Sequence, residues 1–336
     1  MGKNMSSIIK IDHIQIQENQ ENEPQSLFRR KLSIDNSKWF ETYKPYSRTV
    51  LLFITNACNL HCDYCFNHPN LFKLKSMNLE YIRTIVEANP GLDKYDLMGG
   101  EPLLHPQIDE IIEYLQSQDK KIGLYTNGYF LPRLGIGYKN LKLNISFQSL
   151  ESTDKSLKPL TDIAQSIEEL QHVYPIKLVF LMNNFNKHLL PAMAEFVEDN
   201  FLKISKLTIG AVRNEADYWN DDYPYVVPMA EYYDLVQEFI NNYKGRLNID
   251  IFTKGALYTE SLPKSQENQL NRFKSVYVEN QYVPCLYLIA RNVKVTFDPS
   301  QPIPFPDCNS CGRTGLQNCL ADKIRLRNLQ LNNPQQ

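Results

Sequence analysis

Apolar runs of strand length alternate, through the middle of the chain, with segments that repeat apolar residues at helical spacing. Val50 to Ile54 is a continuous apolar run, which is typical of a parallel strand covered on both faces. Apolar residues then recur at helical spacing between Leu79 and Val86, and the pattern stops at Asn89-Pro90-Gly91, a helix-ending signal. These segments predict a first β-loop-α unit.

The same alternation recurs five times along the chain. The further predicted strands are Tyr95–Met98, Ile122–Tyr125, Leu141–Phe147, Ile176–Leu181 and Leu207–Ile209. The predicted helices that follow strands are Ile108–Leu115, Ile163–Val173, Leu189–Val197 and Met229–Tyr243, with an irregular link after the third strand. Six strands alternating with helices imply parallel pairing through right-handed crossovers, in a partial barrel or an open doubly wound sheet. No dinucleotide-binding glycine fingerprint follows the first strand, which disfavours a Rossmann fold.

The two ends of the chain differ from this middle part. Residues 1–47 are polar, and their apolar alternation around Ile8 to Ile16 predicts either a short edge hairpin or a partly ordered arm. After Lys244 the alternation fails, apart from one more predicted strand at Leu247–Phe252. We therefore expect an N-terminal arm over 1–47, an α/β domain over 48–244, and a C-terminal extension over 245–336.

Composition and charge exclude several classes of protein. Of the 336 residues, 43% are apolar and 22% are charged, as in an ordinary protein with a substantial core. A net charge of −2 argues against nucleic acid as the main partner. The sequence has no apolar run of membrane-spanning length and no N-terminal signal pattern, so we expect a cytoplasmic protein without a membrane partner.

Three cysteines follow the first predicted strand directly. Cys58, Cys62 and Cys65 have the spacing C-x3-C-x2-C. In a reducing compartment, clustered cysteines are more often metal ligands than disulfides, and a disulfide cannot use three of them. Because a structural zinc site uses four ligands, three thiolates point instead to a metal cluster with one open coordination position.

This motif, with Tyr64 in the aromatic position before the last cysteine, resembles that of the radical SAM (S-adenosylmethionine) superfamily. The resemblance implies a partial (β/α)6 TIM-like barrel, an α/β fold. It also implies that the thiolates hold three irons of a [4Fe–4S] cluster, whose fourth iron binds the amino and carboxylate groups of SAM. An electron from a flavodoxin- or ferredoxin-type donor then cleaves SAM, and the resulting 5′-deoxyadenosyl radical abstracts a hydrogen atom from the substrate.

A second motif, Gly99-Gly100-Glu101-Pro102, follows the second predicted strand and resembles the GGEP motif of the same superfamily. Taken alone, these four residues would be an ordinary turn. Beside the cysteine motif, we interpret them as part of the SAM site. Two glycines allow close approach of the backbone to a ligand, and a carbonyl there, with Glu101, could meet the amino group of SAM.

Polar residues at the ends of later strands resemble family positions around SAM. Asn127, Ser146 and Gln148 would line its ribose and methionyl pocket. Asn183 and Arg213 would point toward the same opening, and an arginine there suits the SAM carboxylate or an anionic substrate. The alternatives are a simple turn at Asn127 and a surface salt bridge at Arg213.

The remaining cysteines form a second group near the end of the chain. Cys285, Cys308, Cys311 and Cys319 make a complete four-thiolate set, suited to structural zinc or to a fully ligated [4Fe–4S] cluster. The family resemblance favours one auxiliary cluster of the SPASM or twitch kind, with zinc or one free thiol as alternatives. The pattern departs from a full SPASM domain, which has seven cysteines for two clusters.

Chain length and a single auxiliary cluster resemble enzymes that modify ribosomally made peptides, and also small dehydrogenases that act on sugar or cyclitol alcohols. The aromatic-rich loop from Ala211 to Val227 and the polar N-terminal arm favour a peptide substrate. The alternatives are a radical SAM dehydrogenase or rearrangement enzyme acting on a small molecule, and a non-catalytic zinc-binding scaffold.

Overall fold

The structure, a computed structural model, describes residues 8–11, 14–17, 49–65, 67, 75–150, 158–212, 224–252, 275–278, 281–283, 294–296 and 298–300. Its strands are β1 (Ile8–Ile11), β2 (Ile14–Gln17), β3 (Thr49–Thr55), β4 (Lys94–Gly99), β5 (Lys121–Thr126), β6 (Leu141–Phe147), β7 (Ile176–Met182), β8 (Lys206–Ala211), β9 (Asn248–Phe252), β10 (Ser275–Val278), β11 (Gln281–Val283) and β12 (Lys294–Thr296). Its α-helices are α1 (Leu79–Glu87), α2 (Ile108–Ser117), α3 (Ala164–Leu170), α4 (Leu190–Asn200) and α5 (Met229–Asn242).

One large sheet organises the fold. Strands β3 to β9 pair in parallel, each with the next along the chain, and β10 pairs in parallel with the other edge of β3. The antiparallel β11 completes that side. Within the described residues β9 and β11 are the two outer strands, so the sheet is open. The predicted α/β fold and partial barrel are confirmed.

The apolar pattern of the sequence explains the strand and helix of the large sheet's first β-loop-α unit. All seven residues of β3 are buried, as expected for a strand covered on both faces. Helix α1 is capped by Asn78, the residue before it, whose side chain accepts a hydrogen bond from the Tyr81 backbone N–H at 2.8 Å. Its buried residues are Ile82, Ile85 and Val86, which join the apolar core.

Strands β4 to β8 have one apolar and one more polar face. On β4, Tyr95 and Leu97 are completely buried in the core, whereas Lys94 and Asp96 alternate with them on the opposite face. We call the first the outer face, against which the apolar sides of the helices must pack, and the second the inner face. The inner face of β6 carries Lys142, Asn144 and Ser146 in the same way.

The two ends of the chain contribute strands as well. β1 and β2 form the antiparallel hairpin that was one of the two expectations for this region, and β12 pairs with β2. β9 continues the main sheet beyond position 245, where the sequence suggested a boundary. The division into arm, barrel and extension stays a prediction. Within the described part of the chain, no helix combines the length and apolar character needed to cross a membrane.

Candidate active site

The predicted site residues follow strands whose carboxyl ends lie at one edge of the sheet. In this parallel arrangement β3 ends at Thr55, β4 at Gly99, β5 at Thr126, β6 at Phe147 and β7 at Met182. The cysteine loop, the Gly-Gly-Glu-Pro turn and the later polar residues therefore come out on the same side. Open α/β sheets bind ligands at this edge.

The cysteine loop presents three thiols at its surface. Cys58, Cys62 and Cys65 are half-buried and none forms a disulfide. The backbone N–H of Leu60 donates to the Cys58 sulfur at 3.4 Å. The backbone N–H of Asn67 donates to the Cys65 sulfur. Amide hydrogen bonds to sulfur are one means by which proteins set the potential of an iron–sulfur cluster.

Burial and a nearby positive charge change the pKa of two of these thiols in opposite directions. Burial raises the pKa of Cys58, and it raises the pKa of Cys65 to about 11. The Lys158 ammonium lowers the pKa of both thiols in part. Among the described residues no three ligating side chains converge as a single metal ion would require. The loop offers three soft thiol donors, the ligand type that suits iron–sulfur clusters.

Gly99 and Gly100 lie against the backbone at the start of the cysteine loop. The Gly100 N–H donates to the Thr55 carbonyl, and the Glu101 N–H to the Ala57 carbonyl, both at 2.7 Å. A Cβ at Gly99, whose φ is +142°, would lie 2.1 Å from the Thr55 oxygen, and one at Gly100 would lie 2.1 Å from the Ala57 oxygen. The close approach that these glycines permit is thus to the cysteine loop itself.

Glu101 is completely buried and accepts three hydrogen bonds. One carboxylate oxygen accepts from the Leu103 N–H at 3.0 Å and from the Thr126 hydroxyl at 2.8 Å, and the other accepts from the Asn127 N–H at 2.8 Å. Burial raises the pKa of Glu101, and these donors act against the increase. Pro102, also buried, begins the 3-10 turn Pro102–Leu104. Glu101 therefore joins the turn after β4 to the end of β5.

Asn127 extends this connection to the cysteine loop. Its side-chain Nδ2 donates to Asn59 Oδ1 at 2.9 Å, and its Oδ1 accepts from the Tyr129 N–H at 3.1 Å. Asn59 lies between Cys58 and Cys62. The loop is held at this point by an asparagine that Glu101 positions in turn.

Tyr225 holds the other half of the loop. Its hydroxyl donates to Asp63 Oδ2 at 2.8 Å, and its ring centroid lies 5.3 Å from that of Tyr64. Asp63 and Tyr64 are the two residues between Cys62 and Cys65. The ring of Phe185, a residue that is 54% exposed, also packs on Tyr225 edge to face, with 5.1 Å between the ring centroids.

Lys158 lies inside the site, although no sequence motif indicates it. Its ammonium donates to the Ser146 hydroxyl at 2.7 Å, and its backbone N–H donates to the Gln148 side-chain oxygen at 3.0 Å. It also lies within electrostatic range of Cys58, Cys65 and Glu101. A cation beside a hydroxyl and near two of the three thiols is suited to bind a carboxylate.

Two buried amide groups at the ends of β6 and β7 lack acceptors. Gln148 and Asn183 are both completely buried, yet neither Gln148 Nε2 nor Asn183 Nδ2 has a hydrogen-bond acceptor within the described part of the structure. Asn186 joins the two turns, because its Nδ2 donates to the Gln148 carbonyl at 2.8 Å and its Oδ1 accepts from the Asn183 N–H at 2.6 Å. An unpaired buried donor is costly, so these groups are suited to receive ligand acceptors.

Most of the predicted site residues are therefore at one edge of the sheet. Arg213 lies outside the described residues. So does the whole second cysteine group, which consists of Cys285, Cys308, Cys311 and Cys319. Sequence reasoning missed Lys158, Asn59 and Asp63, and it considered Tyr225 only as part of a substrate loop. Their roles depend on contacts between distant parts of the chain, which no local pattern reveals.

The comparison with known families agrees with this geometry. Residues 52–197 match the family model of the radical SAM superfamily, and they include the cysteine loop and the Gly-Gly-Glu-Pro turn. Residues 52–197 are a radical SAM domain. A radical SAM fold implies a [4Fe–4S] cluster and SAM, and it indicates an enzyme. The three unpaired thiols, the Lys158 ammonium and the two amide donors without acceptors fit both groups.

Curated relatives match this part of the chain. The GTP 3′,8-cyclase of Alkaliphilus oremlandii is 30% identical over 198 residues, which cover 53% of this chain and 61% of that protein. The probable GTP 3′,8-cyclase of Methanocaldococcus jannaschii is 33% identical over 165 residues, covering 45% of this chain and 55% of that protein. The chain thus spans less than two thirds of the length of either relative.

Solved structures share the fold. Streptococcus suis SuiB bound to its precursor peptide SuiA superposes with a TM-score of 0.63 at 16% identity, covering 83% of this chain and 71% of SuiB. The anSMEcpe structure with bound AdoMet gives 0.52 at 14% identity, covering 71% of this chain and 74% of that one. At these identities the likeness shows the fold alone.

Proposed function

We propose that this chain is an enzyme that binds a [4Fe–4S] cluster through Cys58, Cys62 and Cys65 and cleaves SAM to start hydrogen abstraction from a substrate. The observation that carries the proposal is the cysteine loop, which is held by the backbone N–H groups of Gly100 and Glu101 and carries three free thiols. When bound, the cluster supplies the electron that cleaves SAM to methionine and a 5′-deoxyadenosyl radical.

The residues around the loop divide the binding of SAM between them. Lys158, with Ser146, provides a cation and a hydroxyl for the carboxylate of SAM. Gln148 and Asn183 direct amide donors toward acceptors of its ribose and adenine. Arg213 stays a predicted second cation for the carboxylate or for the substrate.

In this proposal Glu101 mainly holds other residues of the site in place. Its two oxygens already accept three hydrogen bonds, and these fix Asn127 against the cysteine loop. A backbone carbonyl of the Gly-Gly-Glu-Pro turn is then better suited than the buried carboxylate to meet the amino group of SAM. The predicted contact between Glu101 and that amino group stays a prediction.

The central claim is tested by Cys62→Ala in the anaerobically reconstituted full chain. The variant should lose 5′-deoxyadenosine formation with dithionite as reductant, because the cluster would lose one of its three ligands. His61→Ala, a change at the exposed neighbouring residue, is the control and should retain SAM cleavage. SAM cleavage by Cys62→Ala at the rate of the control would show that the central claim is wrong.

For the substrate, we propose a ribosomally made peptide. The fold likeness to SuiB, whose crystal structure contains its precursor peptide, extends over 83% of this chain, beyond the 53% matched by the Alkaliphilus oremlandii relative. A small molecule of the nucleotide class is the second candidate, since the curated relatives are named GTP 3′,8-cyclase. Both likenesses include the shared radical SAM domain, so they leave the substrate to experiment.

Product analysis separates these substrates. The reconstituted enzyme is incubated with SAM, dithionite and either GTP or short precursor peptides encoded near its gene, and 5′-deoxyadenosine is quantified together with the mass of the second product. A modified peptide with peptide-stimulated SAM cleavage supports the first candidate. Stimulation by GTP alone, or by small alcohols alone, contradicts it.

For the second cysteine group, we propose an auxiliary [4Fe–4S] cluster held by Cys285, Cys308, Cys311 and Cys319. Structural zinc is the alternative. Iron, sulfide and zinc analysis of the anaerobic protein decides between them. Two [4Fe–4S] clusters give eight irons per chain, whereas one cluster and one zinc give four irons, and zinc alone would mean a non-catalytic scaffold. The reductant required is proposed to be a flavodoxin or ferredoxin.

A further inference from the structure

A group of charged residues lies on the inner face of the sheet, near the amino ends of the strands. It consists of Lys94, Asp96, Lys142, Lys206 and Asp250. Lys94 Nζ lies 3.3 Å from Asp96 Oδ1, and Lys206 Nζ lies 2.7 Å from Asp250 Oδ2. Two of the three lysines therefore already have a carboxylate.

Lys142, on the strand between these two pairs, is different. Within the described residues no carboxylate lies within salt-bridge distance of its ammonium. Its side chain is exposed, and partial burial together with the nearby Lys94 and Lys206 ammoniums lowers its pKa. Asp96 and Asp250 offset this in part. Lys121 and Lys177 face the same side by register, so lysines outnumber aspartates on this face, and Lys142 has no carboxylate within salt-bridge distance among the described residues.

The neighbouring strand β5 has a glycine, and not a side chain, beside Lys142. Gly123 of β5 is paired in register both with Asp96 and with Lys142, and it places no side chain between them. A Cβ at Gly123 would lie 2.2 Å from Asp96 Oδ1, so the aspartate occupies the position that a side chain would take. Asp96 therefore fills the space over Gly123, and β5 itself contributes no side chain beside Lys142.

Lys142 is also connected to the SAM site by the strand that carries it. Lys142, Asn144 and Ser146 alternate along the inner face of β6, and Ser146 accepts the hydrogen bond from Lys158. Four residues of a parallel strand span about 13 Å. A substrate with its reacting atom beside SAM could reach Lys142 with a group about that far away.

We propose that Lys142 binds an oxyanion of the substrate, a phosphate or a carboxylate, on the inner face of the sheet. This inference rests on the proposed radical SAM function, because it assumes that the substrate occupies this face. An ammonium that lies near two other lysines and has no carboxylate within salt-bridge distance gains from an oxyanion that neutralises the local positive charge. The source of the oxyanion is a nucleotide phosphate or a peptide carboxylate.

Binding to the full-length reconstituted protein tests the proposal without any reductant. Inorganic tripolyphosphate is the phosphate probe and glutarate the carboxylate probe, each measured by calorimetry at fixed ionic strength. We expect Lys142→Gln to weaken the preferred probe about tenfold or more, as for loss of a hydrogen bond to a charged group, and Lys142→Arg to retain it.

The matched control is Lys121→Gln on the next strand. Lys121 is also a lysine near the amino end of its strand, but its Nζ pairs with the exposed Asp93 at 3.3 Å. The Lys121→Gln variant should bind both probes as tightly as the wild type does. The proposal is overturned if neither probe binds the wild type up to millimolar concentrations, or if Lys142→Gln binds like the wild type. An equal loss in both variants would overturn it too, by showing non-specific attraction.

The preferred probe also identifies the source of the oxyanion. Selective binding of tripolyphosphate supports a nucleotide, and selective binding of glutarate supports a peptide carboxylate. Because this measurement needs no SAM cleavage, a failure of the wild type to form 5′-deoxyadenosine would contradict the proposed function and leave the binding result standing.

Discussion

The Tyr225 hydroxyl donates a 2.8 Å hydrogen bond to Asp63, one of the two residues between Cys62 and Cys65. On the other side, Asn127 donates to Asn59, between Cys58 and Cys62. Both intervals of the cysteine motif are therefore held by residues from distant parts of the chain. A cysteine loop held in this way is preorganised, which lowers the cost of ordering it for the proposed cluster.

Replacing Tyr225 should change the properties of the cluster. Tyr225→Phe keeps the ring contact with Tyr64 but leaves the Asp63 carboxylate without that donor, so we expect a shifted midpoint potential with iron content retained. Tyr225→Leu removes both contacts and should also lower iron content. Redox titration followed by electron paramagnetic resonance measures both effects.

A matched control exists for the tyrosine change. The Tyr138 hydroxyl donates to Asp109 at 2.6 Å on the exposed surface, away from the cysteine loop. Tyr138→Phe should leave the potential unchanged. If Tyr225→Phe and Tyr138→Phe gave the same potential as the wild type, the Tyr225 contact would have no influence on the cluster.

Asn127 should matter through its amide nitrogen. Asn127→Asp preserves the acceptor for the Tyr129 N–H but places a carboxylate oxygen against Asn59 Oδ1, so we expect cluster incorporation to fall severalfold. Iron and sulfide counts after anaerobic reconstitution measure the effect. Gln165→Glu, an amide-to-acid change on the exposed surface of α3, is the control and should reconstitute fully. Full incorporation in Asn127→Asp would contradict the role assigned to this contact.

The sequence predicts the part of the site that depends on local patterns. The spacing of Cys58, Cys62 and Cys65 and the Gly-Gly-Glu-Pro turn are contiguous motifs, and each directly follows an apolar run that became a strand. Because the carboxyl ends of parallel strands share one edge, their meeting could also be predicted. That reasoning extends to Asn127, Ser146, Gln148 and Asn183, which each end or follow a strand of the sheet.

The parts that could not be predicted depend on pairings across the chain. Asn127 and Asn59 are 68 residues apart, and nothing in either segment indicates its partner. Lys158 reaches Ser146 from a stretch without apolar periodicity. The sequence predicts the strand at Leu247–Phe252 but not its pairing with β8 in the main sheet, because strand pairing is decided by tertiary contacts.

His105 gives the protein a stability that depends on pH. Its Nε2 lies 2.8 Å from the Met77 carbonyl and its Nδ1 accepts from the Gln107 N–H at 3.0 Å, an arrangement that requires a neutral ring. Burial lowers the pKa of His105 below its ordinary value of 6.5. A lowered folded-state pKa contributes stability that is present above the unfolded pKa and lost as pH falls through the folded pKa.

We therefore expect the wild type to lose stability as the pH falls below 6.5, and His105→Gln to lose less over the same range. Denaturant unfolding at a series of pH values measures this difference. At pH 8, His105→Gln should itself be destabilised by about 1–3 kcal/mol, because it leaves buried partners unsatisfied. His172→Gln, a change at an exposed histidine, is the control. Parallel pH profiles for wild type and His105→Gln would contradict the prediction.

The contact between the two glycines and the cysteine loop predicts a severe effect of a single methyl group. An alanine Cβ at Gly100 would lie 2.1 Å from the Ala57 carbonyl oxygen, and neither backbone can move without breaking the 2.7 Å hydrogen bonds that join them. We expect Gly100→Ala to cost about 3 kcal/mol or more of unfolding free energy and to lower cluster incorporation.

Alanine variants of two other glycines distinguish the steric contact with the cysteine loop from the effect of alanine on the backbone. Gly91→Ala is the control for Gly100→Ala, because nothing lies within 4 Å of its Cβ position, and it should be nearly neutral. Gly137→Ala is the control for Gly99→Ala, since Gly137 has a positive φ of +102° but also an open Cβ position. It should cost about 1–2 kcal/mol from backbone strain, and Gly99→Ala should cost more by the contact with Thr55. Equal costs at Gly99 and Gly137 would mean that strain, and not the cysteine loop, requires the glycine.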